Sequence, residues 1–182
     1  MTLEGLAEEL RRVTVELTCS GRMVGSGIVW APELIVTNAH VACGAHALLR
    51  GAEGGEVAGR VVARDQDADL ALIRVPGLGA PAATVADGEL RVGSLVVAVG
   101  HPFGVRGALT AGIVHAMGPL ASAGRSWIQA DVRLAPGNSG GPLADARGHV
   151  VGVNAMIAGG LALAIPVGDV MRFVRAAGSS RA

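Results

Sequence analysis

Ser139 lies in the stretch Ala135-Pro136-Gly137-Asn138-Ser139-Gly140-Gly141-Pro142-Leu143. A serine hydroxyl is a weak nucleophile in water; to attack a carbonyl it needs a base beside it and N–H donors facing the oxygen that gains charge. Gly137 has no Cβ to hinder a tight bend, which lets its N–H and that of Ser139 converge on one point, while Asn138 shapes the loop between them. Gly140 and Gly141 permit close approach by a substrate. The same residue types also make ordinary turns, so the partners decide. His40 follows the strand-length run Leu34-Ile35-Val36-Thr37-Asn38-Ala39, and Asp69 opens Leu70-Ala71-Leu72-Ile73, where a buried carboxylate requires a partner. Taken alone, His40 reads equally as a satisfied core side chain. In the order His, Asp, Ser, at positions 40, 69 and 139, the three become base, orienter and nucleophile of an acyl-transfer site.

Other candidates carry less. Asp65, Asp67 and Asp69 alternate as calcium ligands do, but the glycine and closing glutamate of a calcium loop are missing, and no metal or other cofactor is expected. Cys43 lies close to His40 but lacks any loop of oxyanion donors, and reads as a buried or bridged cysteine. His46, His101, His115 and His149 show no ligand spacing and read as surface or loop residues.

These groups need a scaffold, and the bulk numbers bound it. The 182 residues are 51% hydrophobic, enough for one domain or two small barrels sharing an interface. Fifteen basic residues balance fifteen acidic ones without runs of one sign, and aromatics are 2% with no Tyr. Neither a nucleic-acid groove nor a base-stacking platform is indicated. The longest apolar stretches are strand-sized, far short of the roughly 20 residues of a spanning helix, and no leader-like segment precedes them. No membrane association is expected, and the chain as written reads as soluble and cytoplasmic, or as exported if a signal has been removed or Cys19 and Cys43 are bridged.

Along the chain, Thr2 is placed to cap a helix with Leu3, Leu6, Ala7 and Leu10 on one face. The period then changes to alternation, with Val13, Val15, Leu17 and Cys19 facing one way up to a Ser20-Gly21 turn. Short strands follow through Val24–Trp30, Leu34–Asn38, Ala45–Arg50, Glu56–Arg64 and the run after Asp69. Pro76–Glu89, rich in Gly, Pro and Ala, reads as a linker. Strands resume at Ser94–Gly100, Gly107–Met117, Ser126–Asp131, His149–Met156 and Leu161–Ile165, and a last helix over Val167–Ala176 carries Val170, Phe173, Val174 and Ala177 on its apolar face. The expected architecture is all-β: two six-stranded antiparallel barrels with a short N-terminal and a C-terminal helix. It divides as an N-terminal helix (1–12), a first barrel with His40 and Asp69 (13–89), a second with Ser139 (90–166), and a C-terminal helix and tail (167–182).

Several motifs in this order resemble trypsin-like serine proteases, most closely the HtrA/Deg group. They are Gly25-Ser26-Gly27-Ile28-Val29 with Ile35-Val36-Thr37-Asn38-Ala39-His40-Val41, then Asp69-Leu70-Ala71-Leu72-Ile73, Gly100-His101-Pro102-Phe103-Gly104, Ile128-Gln129-Ala130-Asp131, Pro136 to Leu143, and Leu163-Ala164-Ile165-Pro166. The resemblance runs from about Val13 to Val174. It implies a double-barrel peptidase with His40, Asp69 and Ser139 as the triad, an oxyanion hole from the Gly137, Asn138 and Ser139 loop, and polypeptides as substrates. The oligomeric state stays open between a monomer and a homotrimer of the HtrA kind. It also places His101 in a loop bordering the active site.

The departures from the family pattern are informative. The 16 residues after Pro166 are too few for the peptide-binding PDZ domain many members carry, so a bare protease core is expected. Ala130 replaces the usual Thr. Asn138 stands where trypsin-type zymogens have the Asp that pairs with a new N-terminus, so activation by propeptide cleavage is not expected. Arg133 occupies the position six before the nucleophile, where trypsin-like cleavage after Arg or Lys requires a carboxylate. The implied specificity pocket of Arg133, Leu134, Ala155, Leu161 and Leu163 favours cleavage after small or medium aliphatic residues, with acidic ones favoured only if Arg133 points inward. Related proteases often bridge the segments of Cys19 and Cys43; here the bridge and two free thiols remain equal alternatives. The alternative function is a catalytically idle protease fold used to bind peptides or sense a partner.

Overall fold

The computed structural model describes residues 2–19, 21–120 and 124–179. Ser20 of the expected turn and the expected tail beyond 179 lie outside them. Helix α1 (Leu3–Arg12) starts where the Thr2 hydroxyl accepts the Gly5 N–H at 3.2 Å, and ends with Arg11 and Arg12 in its last turn, where cations suit the helix dipole. Six strands follow: β1 (Thr14–Cys19), β2 (Arg22–Ala31), β3 (Leu34–Thr37), β4 (His46–Arg50), β5 (Glu56–Asp65) and β6 (Leu70–Arg74). They pair antiparallel in the closed order β1-β2-β3-β6-β5-β4. The second set is β7 (Leu95–Gly100), β8 (Ala108–Gly118), β9 (Trp127–Asp131), β10 (Pro142–Asp145), β11 (Val150–Ala158) and β12 (Leu161–Pro166), closed as β10-β11-β12-β9-β8-β7. Helix α2 (Val167–Ser179) ends the description.

Two six-stranded barrels with a helix at each end is the architecture expected from the sequence. One strand was not foreseen. Pro142–Asp145, whose first two residues end the Ser139 stretch, closes the second barrel by pairing with β7 and β11. Its proline stands at the first position, where a missing N–H costs the ladder least.

Strand alternation sorts the apolar residues into separate layers. Val15, Leu17, Ile35, Leu49 and Ile73 fill the first barrel, and Val96, Ala98, Val114, Ile128, Leu143 and Ala164 fill the second. A third layer joins Ile28, Val36 and Leu70 of the first barrel to Val153, Leu163 and Ile165 of the second, under Val170 of α2. Burying a Leu, Ile or Val side chain is worth about 1.5–3 kcal/mol, so this layer holds the two barrels at a fixed distance. On another face, Leu6 and Leu10 of α1 cover Val97, Val99 and Ala144. The stretch between β6 and β7 is irregular yet tied to both barrels: Ala83 N–H donates to Val29 O at 2.7 Å, and Ala86 N–H to Val150 O at 3.0 Å. Cys19 and Cys43 are disulfide-bonded, their Cα atoms 6.3 Å apart. Among the described residues no helix is long and apolar enough to cross a membrane.

Candidate active site

His40 stands just past β3, in a tight turn where the N–H groups of Val41 and Ala42 both reach Asn38 O. Asp69 stands one residue before β6. Its turn is built by the acidic residues that resemble calcium ligands: Asp65 Oδ1 accepts the Ala68 N–H at 2.9 Å, and Asp69 N–H reaches Gln66 O at 3.3 Å. These are turn bonds, with Asp69 itself at φ 52. Pairing of β3 with β6, Thr37 opposite Ala71, brings the two strand ends together.

The consequence is a two-point contact. His40 Nδ1 lies 3.0 Å from Asp69 Oδ1 and 2.9 Å from Oδ2, and the His40 backbone N–H donates to Oδ1 at 3.1 Å. An ionised carboxylate only accepts, so Nδ1 carries the proton and Nε2 is left as the acceptor. Asn38, fully buried, holds the Asp69 carbonyl through Nδ2 at 3.1 Å. The Asp69 carboxylate is mostly covered, whereas the His40 side chain is half exposed and open to a substrate.

Ser139 comes from the second barrel on a loop fastened at almost every peptide. Asn138 N–H donates to Ala135 O at 3.0 Å, Gly140 N–H to Asn154 O at 2.8 Å, Gly141 N–H to Asn138 O at 3.0 Å, and Ser26 N–H to Ser139 O at 2.8 Å. Gly140 is required: at φ +85 a Cβ would lie 2.0 Å from Ser26 O and 2.2 Å from Thr37 Oγ1. Gly137 N–H and Ser139 N–H have no acceptor among the described residues, as oxyanion donors must. The Asn138 N–H is spent on Ala135 O, within the loop that Asn138 shapes between the other two amides. The Ser139 hydroxyl donates to Ala155 O at 2.8 Å, so in this resting geometry it is turned from His40.

The cleft beside His40 has a volume of about 550 Å³ and is lined by Asp69, Arg125, Trp127, Ala155 and Met156 among others. Arg125 stacks 3.8 Å over the Trp127 ring and donates to Asp67 O at 3.1 Å, so the second barrel reaches the turn that carries Asp69. Burial lowers the guanidinium pKa, while the carboxylates of Asp69, Asp169 and Asp65 oppose that shift. Sequence reading missed Arg125, for it lies in a loop without periodicity.

The five residues expected to form the specificity pocket are not gathered on one wall. Leu163 is 0% exposed in the layer between the barrels, because alternation along β12 turns Ala162 and Ala164 into the second barrel and Leu163 away from it. Arg133 is exposed and lines a shallow recess with Thr110, Gly112 and Asp131. Leu134 leans half-buried on the second-barrel core, Leu161 is half-buried at the start of β12, and Ala155 faces the cleft. His46 and His115 are exposed and His149 half-buried, but His101 is 5% exposed. It was expected at the surface or in a loop beside the site; it is in that loop and buried. Among the described residues no group of three or more His, Cys, Asp or Glu side chains is arranged to hold a metal.

Residues 25–153 match the trypsin-like peptidase domain family. The chain belongs to the trypsin-like peptidases. This peptidase domain is 39% identical over 155 residues to a probable periplasmic serine endoprotease, DegP-like, of Ectopseudomonas mendocina (strain ymp), covering 79% of the chain and 33% of that protein. It is 35% identical over 162 residues to serine protease HTRA1 of Xenopus laevis, covering 82% and 35%. The solved structure of the HtrA-type protease AlgW with decapeptide superposes with a TM-score of 0.88 at 25% identity, over 98% of this chain and 68% of that one. The domain is thus homologous to the DegP/HtrA serine proteases, as the motifs implied. It spans about a third of the length of the curated relatives it matches.

Proposed function

We propose that the chain is a serine endopeptidase that cleaves extended or unfolded polypeptides through His40, Asp69 and Ser139 by way of an acyl-enzyme. The observation that carries this reading is the fixed imidazole: both Asp69 oxygens lie within 3.0 Å of Nδ1. That leaves Nε2 to act on a nucleophile presented by a loop whose Gly137 and Ser139 amides have no acceptor among the described residues. For reaction, the Ser139 hydroxyl leaves Ala155 O and turns to His40 Nε2; such bonds are commonly made only in the substrate complex. His40 takes the hydroxyl proton as oxygen attacks the carbonyl carbon, the Gly137 and Ser139 N–H groups receive the oxyanion, and the imidazolium returns the proton to the leaving amine. Water then repeats the sequence on the acyl-enzyme.

With Arg133 outside, Ala155 supplies an aliphatic wall to the cleft, which supports cleavage after small or medium aliphatic residues. A methylene more or less in such a pocket changes the rate by only about 10- to 200-fold, so selectivity is loose. The disulfide, together with relatives named as periplasmic, supports an oxidising compartment as the place of action. Digestion of casein and of a peptide library by the wild type and Ser139→Ala tests the reading. Fragments ending in Val, Ala, Ile or Leu, made only by the wild type, are expected. Equal digestion by both proteins overturns the mechanism, and no digestion by either favours the peptide-binding alternative; a profile dominated by Arg or Lys overturns the pocket.

A further inference from the structure

The buried histidine outside the triad has the most specific surroundings of any remaining group. His101 is 5% exposed, and its neighbour Ser26, from β2, is 0% exposed. Three polar atoms surround Ser26 Oγ: Gly137 O at 2.7 Å, His101 N at 3.1 Å and His101 Nδ1 at 3.0 Å. A hydroxyl has one proton and two lone pairs. The hydroxyl gives its one proton to Gly137 O, the shortest of the three contacts, and the His101 backbone N–H, which also lies 3.3 Å from Gly137 O, donates to one lone pair. With that proton committed, the 3.0 Å contact between Oγ and Nδ1 is a hydrogen bond only if Nδ1 supplies the hydrogen. Burial, with a smaller contribution from Arg106, pushes the His101 pKa down to about 4, so the ring is neutral at neutral pH.

We propose that His101, as its neutral Nδ1–H tautomer, is a positioning residue that sets the oxyanion donors through the Ser26 hydroxyl. The inference rests on the proposed peptidase mechanism for its purpose, though not for its geometry. His101 N lies 3.3 Å from Gly137 O, and two residues on, Phe103 N–H holds Pro136 O at 3.2 Å. A trans peptide points its N–H opposite its C=O. Fixing Pro136 O toward Phe103 therefore turns the Gly137 N–H to the other side, where it has no acceptor among the described residues. Ser26 completes the hold: its hydroxyl fixes Gly137 O and its N–H fixes Ser139 O, on either side of Asn138. Without the imidazole N–H, the Ser26 hydroxyl loses one of its two donors and is free to turn from Gly137 O.

The test uses the whole chain labelled with ¹⁵N. In two- and three-bond ¹H–¹⁵N spectra of the wild type at pH 7, His101 is expected to show a protonated Nδ1 and an unprotonated Nε2. His101→Leu keeps bulk but removes the donor, and His101→Asn restores an N–H close to the Nδ1 position. The Gly137 and Ser139 amide signals are expected to move in His101→Leu and to return in His101→Asn. Peptide hydrolysis should follow: kcat lower by about 10- to 100-fold in the Leu variant with KM little changed, as for misplaced oxyanion donors, and mostly recovered in the Asn variant. Ser26→Ala gives the same loss by a second route if His101→Leu does not fold. An Nε2–H or doubly protonated ring overturns the proposal, as do unmoved Gly137 and Ser139 amides in both His101→Leu and Ser26→Ala. If the wild type cleaves nothing, the peptidase reading fails while the tautomer and the amide shifts are still decided.

Discussion

Acidification should weaken this fold through His101 before it touches the carboxylates. The perturbation is pH, and its size follows from the burial of one ring. The His101 pKa falls from an ordinary 6.5 to about 4, first because burial penalises the charged ring and then because Arg106 repels it. The unfolded chain thus binds a proton between these values that the folded chain refuses. The stability contributed by the neutral ring is complete above pH 6.5 and is lost as pH falls toward 4. At 1.36 kcal/mol for each pKa unit, the loss is about 3 kcal/mol, a large share of the roughly 5–15 kcal/mol that holds a domain together. Asp145 acts lower on the scale. Burial opposes its ionisation, but the N–H groups of His149 and Arg147 and the Arg147 guanidinium outweigh that and lower its pKa from 3.8, so its contribution disappears only below that value. Urea unfolding at several pH values between 7.5 and 4, for the wild type and His101→Asn, isolates the histidine. The wild type is expected to lose about 3 kcal/mol more than the variant across this window. Parallel curves would refute the reasoning.

Asp69→Asn should reduce kcat/KM by on the order of 10⁴-fold, since an amide N–H facing Nδ1 stabilises the wrong imidazole tautomer; steady-state peptide hydrolysis measures it. Double mutants among His40→Ala, Asp69→Ala and Ser139→Ala should lose little more than the worst single one, because the three act as a unit. Gly140→Ala forces a Cβ against Ser26 O and Thr37 Oγ1 in a left-handed backbone, and should both lower Tm and abolish turnover; an unchanged melting curve would contradict the packing. Intact-mass analysis with alkylation before and after reduction should show both cysteines protected until reduction, as the Cys19–Cys43 bridge requires.

The contact between His40 and Asp69 was legible because both residues lie just outside strands, where short apolar runs mark the strands and the polar residue beside them stands out. Ser139 was legible because the glycines that its loop needs are themselves a signal. The pocket was not, since wall residues are chosen by alternation along β12 and by the direction Arg133 takes, and neither is fixed by distance from the nucleophile. Leu163 shows the difficulty: an aliphatic residue in the right strand faces the wrong side. The strand Pro142–Asp145 was missed because four residues beginning with proline show no period of two; pairing with β7 and β11 makes it a strand. Ser26 lies inside the Gly25–Val29 motif, but a hydroxyl between two glycines gives no hint that it bonds a carbonyl 111 residues away. His101 read as a loop residue since nothing local reveals that the loop folds under the Ser139 turn.

The most direct measurement is labelling of the active-site serine with a fluorophosphonate, followed by peptide mapping. A single adduct on Ser139 is predicted for the wild type, with none in Ser139→Ala and much slower labelling in His40→Ala. Labelling that survives Ser139→Ala, or a folded wild type that does not react, would contradict a nucleophile activated by His40 and Asp69.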